Sequence, residues 1–254
     1  MIYTKNEISN HLLNLGVKSN DTVMLHGNAG IVGQYNFQNK NDAFDEFIGQ
    51  LICYLFEGTI IVPTFTYSAT KNEIFDKDKT ESSIGLFSEK FRLIKGAVRS
   101  QHPIFSISAI GKNSKYFTET RIDDCFGEDT VFDKIYKKNV KILTLGCSLD
   151  RVTFVHYVEQ KLNVSYRYNK KYKARICNKG VFKNLDINYF VRKLDINSKI
   201  DLKSFEKNAI AEKKLIIKPF GRFLARSILA KDLFEIASKL LLKNEYALIE
   251  EGAI

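Results

Sequence analysis

Cysteine pairs, long apolar runs and metal-ligand spacings are all missing from this 254-residue sequence. The four cysteines, Cys53, Cys125, Cys147 and Cys177, stand far apart with no Cys-x-x-Cys among them. That usage fits a reducing compartment and a fold that needs no disulfide staples. The N-terminal stretch MIYTKNEISNH lacks an apolar signal core, and no apolar run approaches the roughly 20 residues needed to cross a bilayer. A cytoplasmic protein with no membrane partner is therefore expected. His11, His26, His102 and His156 do not pair at zinc-ligand spacings with one another or with the cysteines, so no metal is expected either. No repeat, heptad, low-complexity tract or Pro/Gly/Ser linker breaks the chain, and residues 1–254 read as one domain large enough to bury its own core.

Charge is present but unevenly placed. Residues 1–150 carry 17 Lys/Arg against 18 Asp/Glu, whereas residues 151–254 carry 22 against 11, so the whole net charge of +10 arises in the last two fifths. A field of that sign concentrates anionic ligands, although surface lysines also serve solubility. The run Lys170–Lys173 with Tyr166, Tyr168 and Tyr172 interleaves basic and aromatic residues as single-strand binders do, yet no recognised binding module surrounds it, and nucleic acid is not expected as a partner.

The apolar periods place the elements. Thr4 with Glu7 three residues on is a capping-box pattern opening a short helix that Gly16 closes. Thr22–His26 and Gly58–Pro63 are short β-rich runs separated by a helix over Asn41–Phe56, giving strand, helix, strand. A long polar loop follows Pro63, then a helix over Ile84–Leu93, a strand over Ser106–Ile110, a helix over Val131–Tyr136 and the clearest strand, Val140–Gly146. The segment TFVHYVEQKL reads as a helix, Ala174–Ile176 and Lys214–Lys218 as strands, and Ala230–Leu242 as the last helix.

Chemistry concentrates where a buried strand hands over to a helix, because ligands of α/β folds bind outside the carboxyl ends of strands. Gly146–Glu159 (GCSLDRVTFVHYVE) has that form. His156 and Glu159 are three apart, hence neighbours on one helical face, and the carboxylate there could orient the imidazole; a half-buried structural histidine beside a solvated glutamate has the same spacing. Arg99, Ser100, His102 and Ser106 surround a proline turn, where an arginine with hydroxyls could hold a phosphate or simply finish a turn. Gly27, Gly30 and Gly33 follow the first strand without forming Gly-x-Gly-x-x-Gly or a P-loop. Cys147 lacks the neighbours of known cysteine nucleophiles.

Taken in order, these blocks resemble the aminoglycoside 3-N-acetyltransferase family. The match runs from Asp21–His26 (DTVMLH) through Gly58–Tyr67 (GTIIVPTFTY), Thr80–Phe91 (TESSIGLFSEKF) and Gly96–Pro103 (GAVRSQHP) with Ser106. It continues through Phe126-Gly127, Leu145-Gly146, Thr153–Glu159 (TFVHYVE), Tyr166-Arg167 and Lys231–Phe234. The resemblance implies an α/β fold, a mixed central sheet flanked by helices with a smaller basic C-terminal lobe. Residues 1–160 would form the core lobe with the coenzyme A site, and 161–254 a lobe contributing to the acceptor site. It implies direct transfer of an acyl group from acetyl-CoA or another short acyl-CoA to an amine, with His156 as general base and Glu159 or Asp195 as its carboxylate partner. By matched position it places the co-substrate at Gly27, Asn28, Ala29, Gly30, Thr64, Arg99, Ser100, His102 and Ser106, and the acceptor at Thr66, Tyr67, Tyr166 and Arg167. A homo-oligomer is compatible with it.

Two departures bear on the acceptor. The Ser-Leu-Arg sequence common after the first strand is here Gly27-Asn-Ala-Gly30, and the +11 of residues 151–254 would repel a polycationic aminoglycoside and attract an anion. The sequence therefore favours a nucleotide-linked amino sugar, of the dTDP-3-amino-3,6-dideoxyhexose type used in surface polysaccharide synthesis. Aminoglycoside 3-N-acetylation is the alternative within the enzyme class, and a non-catalytic polyanion-binding protein the alternative outside it.

Overall fold

A computed structural model of the chain describes residues 3–37 and 42–250. In chain order the helices are Glu7–Asn14 (α1), Ala43–Tyr54 (α2), Leu86–Leu93 (α3), Ser114–Thr118 (α4), Val131–Lys137 (α5), Val155–Leu162 (α6), Lys203–Ala211 (α7) and Ala230–Lys243 (α8). The strands are Thr22–Gly27 (β1), Thr59–Pro63 (β2), Ile74–Asp76 (β3), Val98–Arg99 (β4), Ile107–Gly111 (β5), Lys141–Leu145 (β6), Arg167–Asn178 (β7), Val181–Arg192 (β8), Ile216–Phe220 (β9) and Phe223–Leu229 (β10). Among the described residues no helix is long and apolar enough to cross a membrane.

Seven strands make the central sheet, in the order β4-β5-β2-β1-β6-β10-β9. The middle is parallel, β1 between β2 and β6, while β5 and β10 run antiparallel outside them. Both faces are buried, which is why these strands read as continuous apolar runs. Val23, Leu25, Ile60, Val62, Leu143 and Leu145 point to one core, and Met24, Ile61 and Ile142 to the other. α1, α2 and α3 cover the first face through Ile8, Phe47 and Phe87; α5, α6 and α8 cover the second through Phe132, Tyr157 and Ile236. The expected elements on this frame lie within a few residues of their observed bounds, and Asn41, the expected start of the second helix, lies outside the described residues.

The largest difference from the sequence reading is a second sheet. β7 and β8 form a hairpin paired from Arg167↔Arg192 to Asn178↔Val181, and β3, inside the loop expected to be irregular, runs parallel along β7. The apolar pattern exposed only Ala174–Ile176 because Ala174, Ile176 and Cys177 are buried while most neighbours on β7 face solvent. The residues expected to form a basic lobe after 161 are therefore divided. The hairpin builds the small sheet, whereas β9 and β10 complete the central one and α8 packs on its face.

The GAVRSxHP block also takes a different role from the one expected. Arg99, Ser100, His102 and Ser106 are all buried and bonded to protein, with Arg99 Nε alone left without a hydrogen-bond partner. Arg99 Nη2 donates to Thr64 O at 2.7 Å, Nη1 donates to Thr80 O and to Lys77 O, and the guanidinium lies 5.1 Å from the Phe75 ring centre. Burial pulls its pKa down to about 10. Ser106 Oγ donates to the same Thr64 carbonyl, Ser100 Oγ accepts the Ile107 N–H, and His102 Nδ1 accepts the N–H groups of Ile104 and Phe105. Thr64 and Thr66, expected at the ligands, are buried as well and bond the carbonyls of Ser106 and Pro103. This block bolts β4 and β5 to the loops after β2. Replacing Arg99 with Met leaves three carbonyls without their charged donor, at an expected cost of about 3–5 kcal/mol. Chemical denaturation measures it, and acetyl-CoA affinity per folded molecule should change little.

Candidate active site

The carboxyl ends of β1 and β6 and the start of α6 converge on one side chain, His156. β6 ends at Leu145, Gly146 turns the chain at φ +71°, and a single 3-10 turn over Leu149–Arg151 feeds α6. A side chain at Gly146 would meet the Phe223 ring at 3.0 Å, and one at Gly27 would meet the Phe87 ring at 2.7 Å. Both glycines let α3 and β10 close on the strand ends.

One helical turn beyond His156, Glu159 is fully buried, an expensive place for a carboxylate unless it is paired and hydrogen-bonded. It is both. His156 Nδ1 lies 2.6 Å from Oε2, Arg167 Nε lies 2.7 Å from the same oxygen, and Tyr166 donates its hydroxyl to Oε1 at 2.8 Å. Burial alone would raise the Glu159 pKa, but the charges of His156 and Arg167 and the hydrogen bonds from His156 and Tyr166 outweigh it and hold the carboxyl below its usual range. An ionised Glu159 accepts the Nδ1 proton of His156, which fixes the tautomer and leaves Nε2 with a free lone pair. Arg167 Nη2 is also 2.9 Å from Nδ1. A nitrogen that already carries a proton cannot accept a second bond, so Arg167 acts on the imidazole as a charge. Burial, with that charge, lowers the His156 pKa from 6.5 despite the opposing pull of Glu159. The ring is neutral near pH 7, the state a base needs.

His156 borders two clefts. The first, about 690 Å³, runs beside Gly27, Asn28 and Ala29, the Ser83–Ser88 segment that opens α3, and Asp150 and Arg151. The second, about 440 Å³, lies against the hairpin and is bordered by Arg167, Tyr168, Lys170, Arg192 and Lys199. Two clefts joined at a histidine can bring two substrates to one base.

The expected site residues divide accordingly. His156, Glu159 and Arg167 are brought together, and Gly27, Asn28, Ala29 and Tyr67 line the clefts. Gly30 donates its N–H to Asn28 Oδ1 and lines neither cleft. Tyr166 is buried under Glu159 and touches neither cleft, so it supports the carboxylate rather than an acceptor. Asp195 is exposed and lines neither cleft, although its neighbour Leu194 borders the second, and the hydrogen bond at Nδ1 makes Glu159 the partner of His156. Cys147 lines the first cleft, but burial pushes its thiol up to about 11, so it is no nucleophile at neutral pH. His26 lines the same cleft without a carboxylate partner, and burial lowers its pKa to about 4. Lys170, Arg192 and Lys199, which line the second cleft, were missed; the signal for Lys170 and Arg192 was the β-pairing of the hairpin, which the polar sequence hid, and Lys199 follows in the loop after it.

The family model for aminoglycoside 3-N-acetyltransferase matches residues 24–242. The chain belongs to that family, one of acyl-CoA-dependent N-acyltransferases. Among its relatives, aminoglycoside N(3)-acetyltransferase IX of Micromonospora chalcea is 25% identical over 199 residues, covering 70% of this chain and 69% of the relative. The SPbeta prophage-derived aminoglycoside N(3')-acetyltransferase-like protein YokD of Bacillus subtilis is 25% identical over 188 residues, 63% of this chain and 65% of the relative. The YokD crystal structure covers 95% of this chain and 100% of its own at TM-score 0.77 and 22% identity. The structure of AAC-IIIb in binary complex with CoASH covers 96% and 97% at TM-score 0.81 and 19% identity. These structural likenesses establish the fold.

The buried Glu159 makes a double prediction. Glu159→Gln should lower kcat by about 10²–10⁴-fold, the usual worth of general-base catalysis. It should also cost about 3–5 kcal/mol of stability, because Arg167 would stay buried without its counter-charge. Kinetics and denaturant melts on the same preparation check both, and a variant as stable as the wild type would contradict the buried ion pair.

Proposed function

We propose that this protein transfers an acetyl group from acetyl-CoA directly to an amine of an amino sugar, with His156 Nε2 as the general base. The observation that carries this reading is the meeting of two clefts at a neutral histidine whose other nitrogen is held by a buried carboxylate. An ammonium has no lone pair, so the acceptor attacks as the neutral amine, and the proton its nitrogen sheds as it bonds to the thioester carbon passes to Nε2. The first cleft suits the thioester: its volume is in the range of small-molecule sites, and Asn28, Ser83, Ser88 and Arg151 give it polar groups for an extended, amide-bearing arm. The thiol of Cys147 stays protonated there, which agrees with transfer that forms no acyl-enzyme.

The acceptor amine belongs to the second cleft. The relatives are named for aminoglycosides, and an aminoglycoside is accordingly the first acceptor we propose. A specific observation favours a second. The cleft is bordered by Arg167, Lys170, Arg192 and Lys199 and, among the described residues, by no aspartate or glutamate; Arg167 is paired behind it with Glu159 and Lys199 with Glu250, so Lys170 and Arg192 carry most of the excess. Such a wall opposes a polycation and favours an amino sugar that carries phosphate, as a dTDP-linked 3-amino-3,6-dideoxyhexose does.

Thiol release from acetyl-CoA, measured separately with kanamycin and with a dTDP-3-amino-3,6-dideoxyhexose, decides between them; turnover with neither would overturn the transfer reading. With either acceptor, the acid limb of kcat/KM should fall below pH 6.5, since the His156 pKa is lowered from that value. Arg167→Met removes a charge that disfavours the imidazolium, so the limb should move to higher pH. A shift to lower pH would contradict the electrostatic role of Arg167.

A further inference from the structure

Among the described residues, one other side chain is shared by the two clefts: Tyr67. Its backbone is unusual. At φ 55° and ψ 22° it occupies the left-handed region, which bulky residues rarely adopt and which persists only where surrounding bonds impose it. Here they do. Tyr67 O accepts the N–H of Thr70 at 3.0 Å and the Thr70 hydroxyl at 2.8 Å, while Tyr67 N–H points to Ile104 O at 3.4 Å. The ring is wedged edge-on between Phe65 and Phe105, with centroids 6.3 and 5.7 Å away. A strained main chain and a packed ring thus fix the direction of a hydroxyl that, among the described residues, makes no hydrogen bond to protein. Burial raises its pKa above 10, so the phenol remains protonated throughout the working range of His156.

We infer that Tyr67 is a catalytic residue, its hydroxyl donating a hydrogen bond to the thioester oxygen as negative charge develops there during acetyl transfer. The assignment rests on the transfer reading above. As the amine nitrogen bonds to the carbonyl carbon, the C=O π pair moves onto oxygen and the amine proton passes to His156 Nε2. When C=O re-forms, the C–S bond breaks, its electron pair leaves on sulfur, and the imidazolium returns its proton to the thiolate. Tyr67 keeps its own proton throughout and only donates a bond while the oxygen is charged. A neutral donor already fixed in place is the form in which such stabilisation is most effective, since no reorganisation accompanies the reaction. The hydroxyls of Thr64 and Ser106 are spent on carbonyls and cannot take this role.

Tyr67→Phe tests the assignment, because it keeps the ring and the backbone and removes the hydroxyl alone. It is assayed beside the wild type with acetyl-CoA and whichever of kanamycin and the dTDP-amino sugar the wild type turns over. The expected result is a fall in kcat of about 10²–10³-fold, as for loss of one oxyanion donor. The acetyl-CoA dissociation constant, melting temperature and acid limb should stay as in the wild type. A kcat near the wild-type value, a loss matched by weaker acetyl-CoA binding, or a lowered melting temperature would each overturn it. An inert wild type would instead overturn the transfer reading itself, and the two failures are thereby told apart.

Discussion

A carboxylate with no access to water sets the conditions for everything near the junction of the clefts. Glu159 must be ionised to hold Arg167 and His156, and it can be ionised there only because those two and Tyr166 surround it. The bonds that offset the cost of burying the charge also select the His156 tautomer, so stability and reactivity share the same atoms. Arg167 belongs to this cluster although it also borders the second cleft. It begins the β7 strand, and its Nη1 donates to Phe190 O across the hairpin at 3.1 Å. The hairpin is therefore tied to the base by a charged residue rather than by apolar packing alone.

The sheet supplies the other half of the arrangement. Parallel β1, β2 and β6 end on the same side, and the glycines at 27 and 146 let α3 and β10 approach those ends closely. The GAVRSxHP block acts behind this surface. It spends its hydroxyls, its imidazole and its guanidinium on carbonyl and amide groups of its own turn and of the segments after β2 and β3, and the bonds to Thr64 O anchor the segment from which Tyr67 projects. A pattern that resembles a phosphate site in sequence is, in three dimensions, the internal bracing of a loop wall.

What could be read from the sequence follows from how each element is buried. The central strands have both faces covered and stood out as apolar runs, and the pair His156 and Glu159 was legible because both lie on one helix three residues apart. Arg167 and Tyr166 were recognised as site residues from the family pattern, but nothing in one dimension shows that they meet Glu159. The β7–β8 hairpin was almost invisible, since its exposed lysines and asparagines carry no alternation. Asp195 could not be separated from Glu159 as the histidine's partner until the structure showed Glu159, buried, on the Nδ1 nitrogen and Asp195 exposed beside the rim of the second cleft. Arg99 misled for a related reason: an arginine beside serines has the same spelling whether its partners are phosphate oxygens or backbone carbonyls.

The claim on which the account turns is the protonation state of one ring, and ¹⁵N NMR of the labelled His156 imidazole reads it directly. At pH 7 the account predicts a neutral ring with the proton on Nδ1 and a bare Nε2, titrating with a midpoint below 6.5. A proton resident on Nε2, or an imidazolium at that pH, would contradict it and remove the general base from the site.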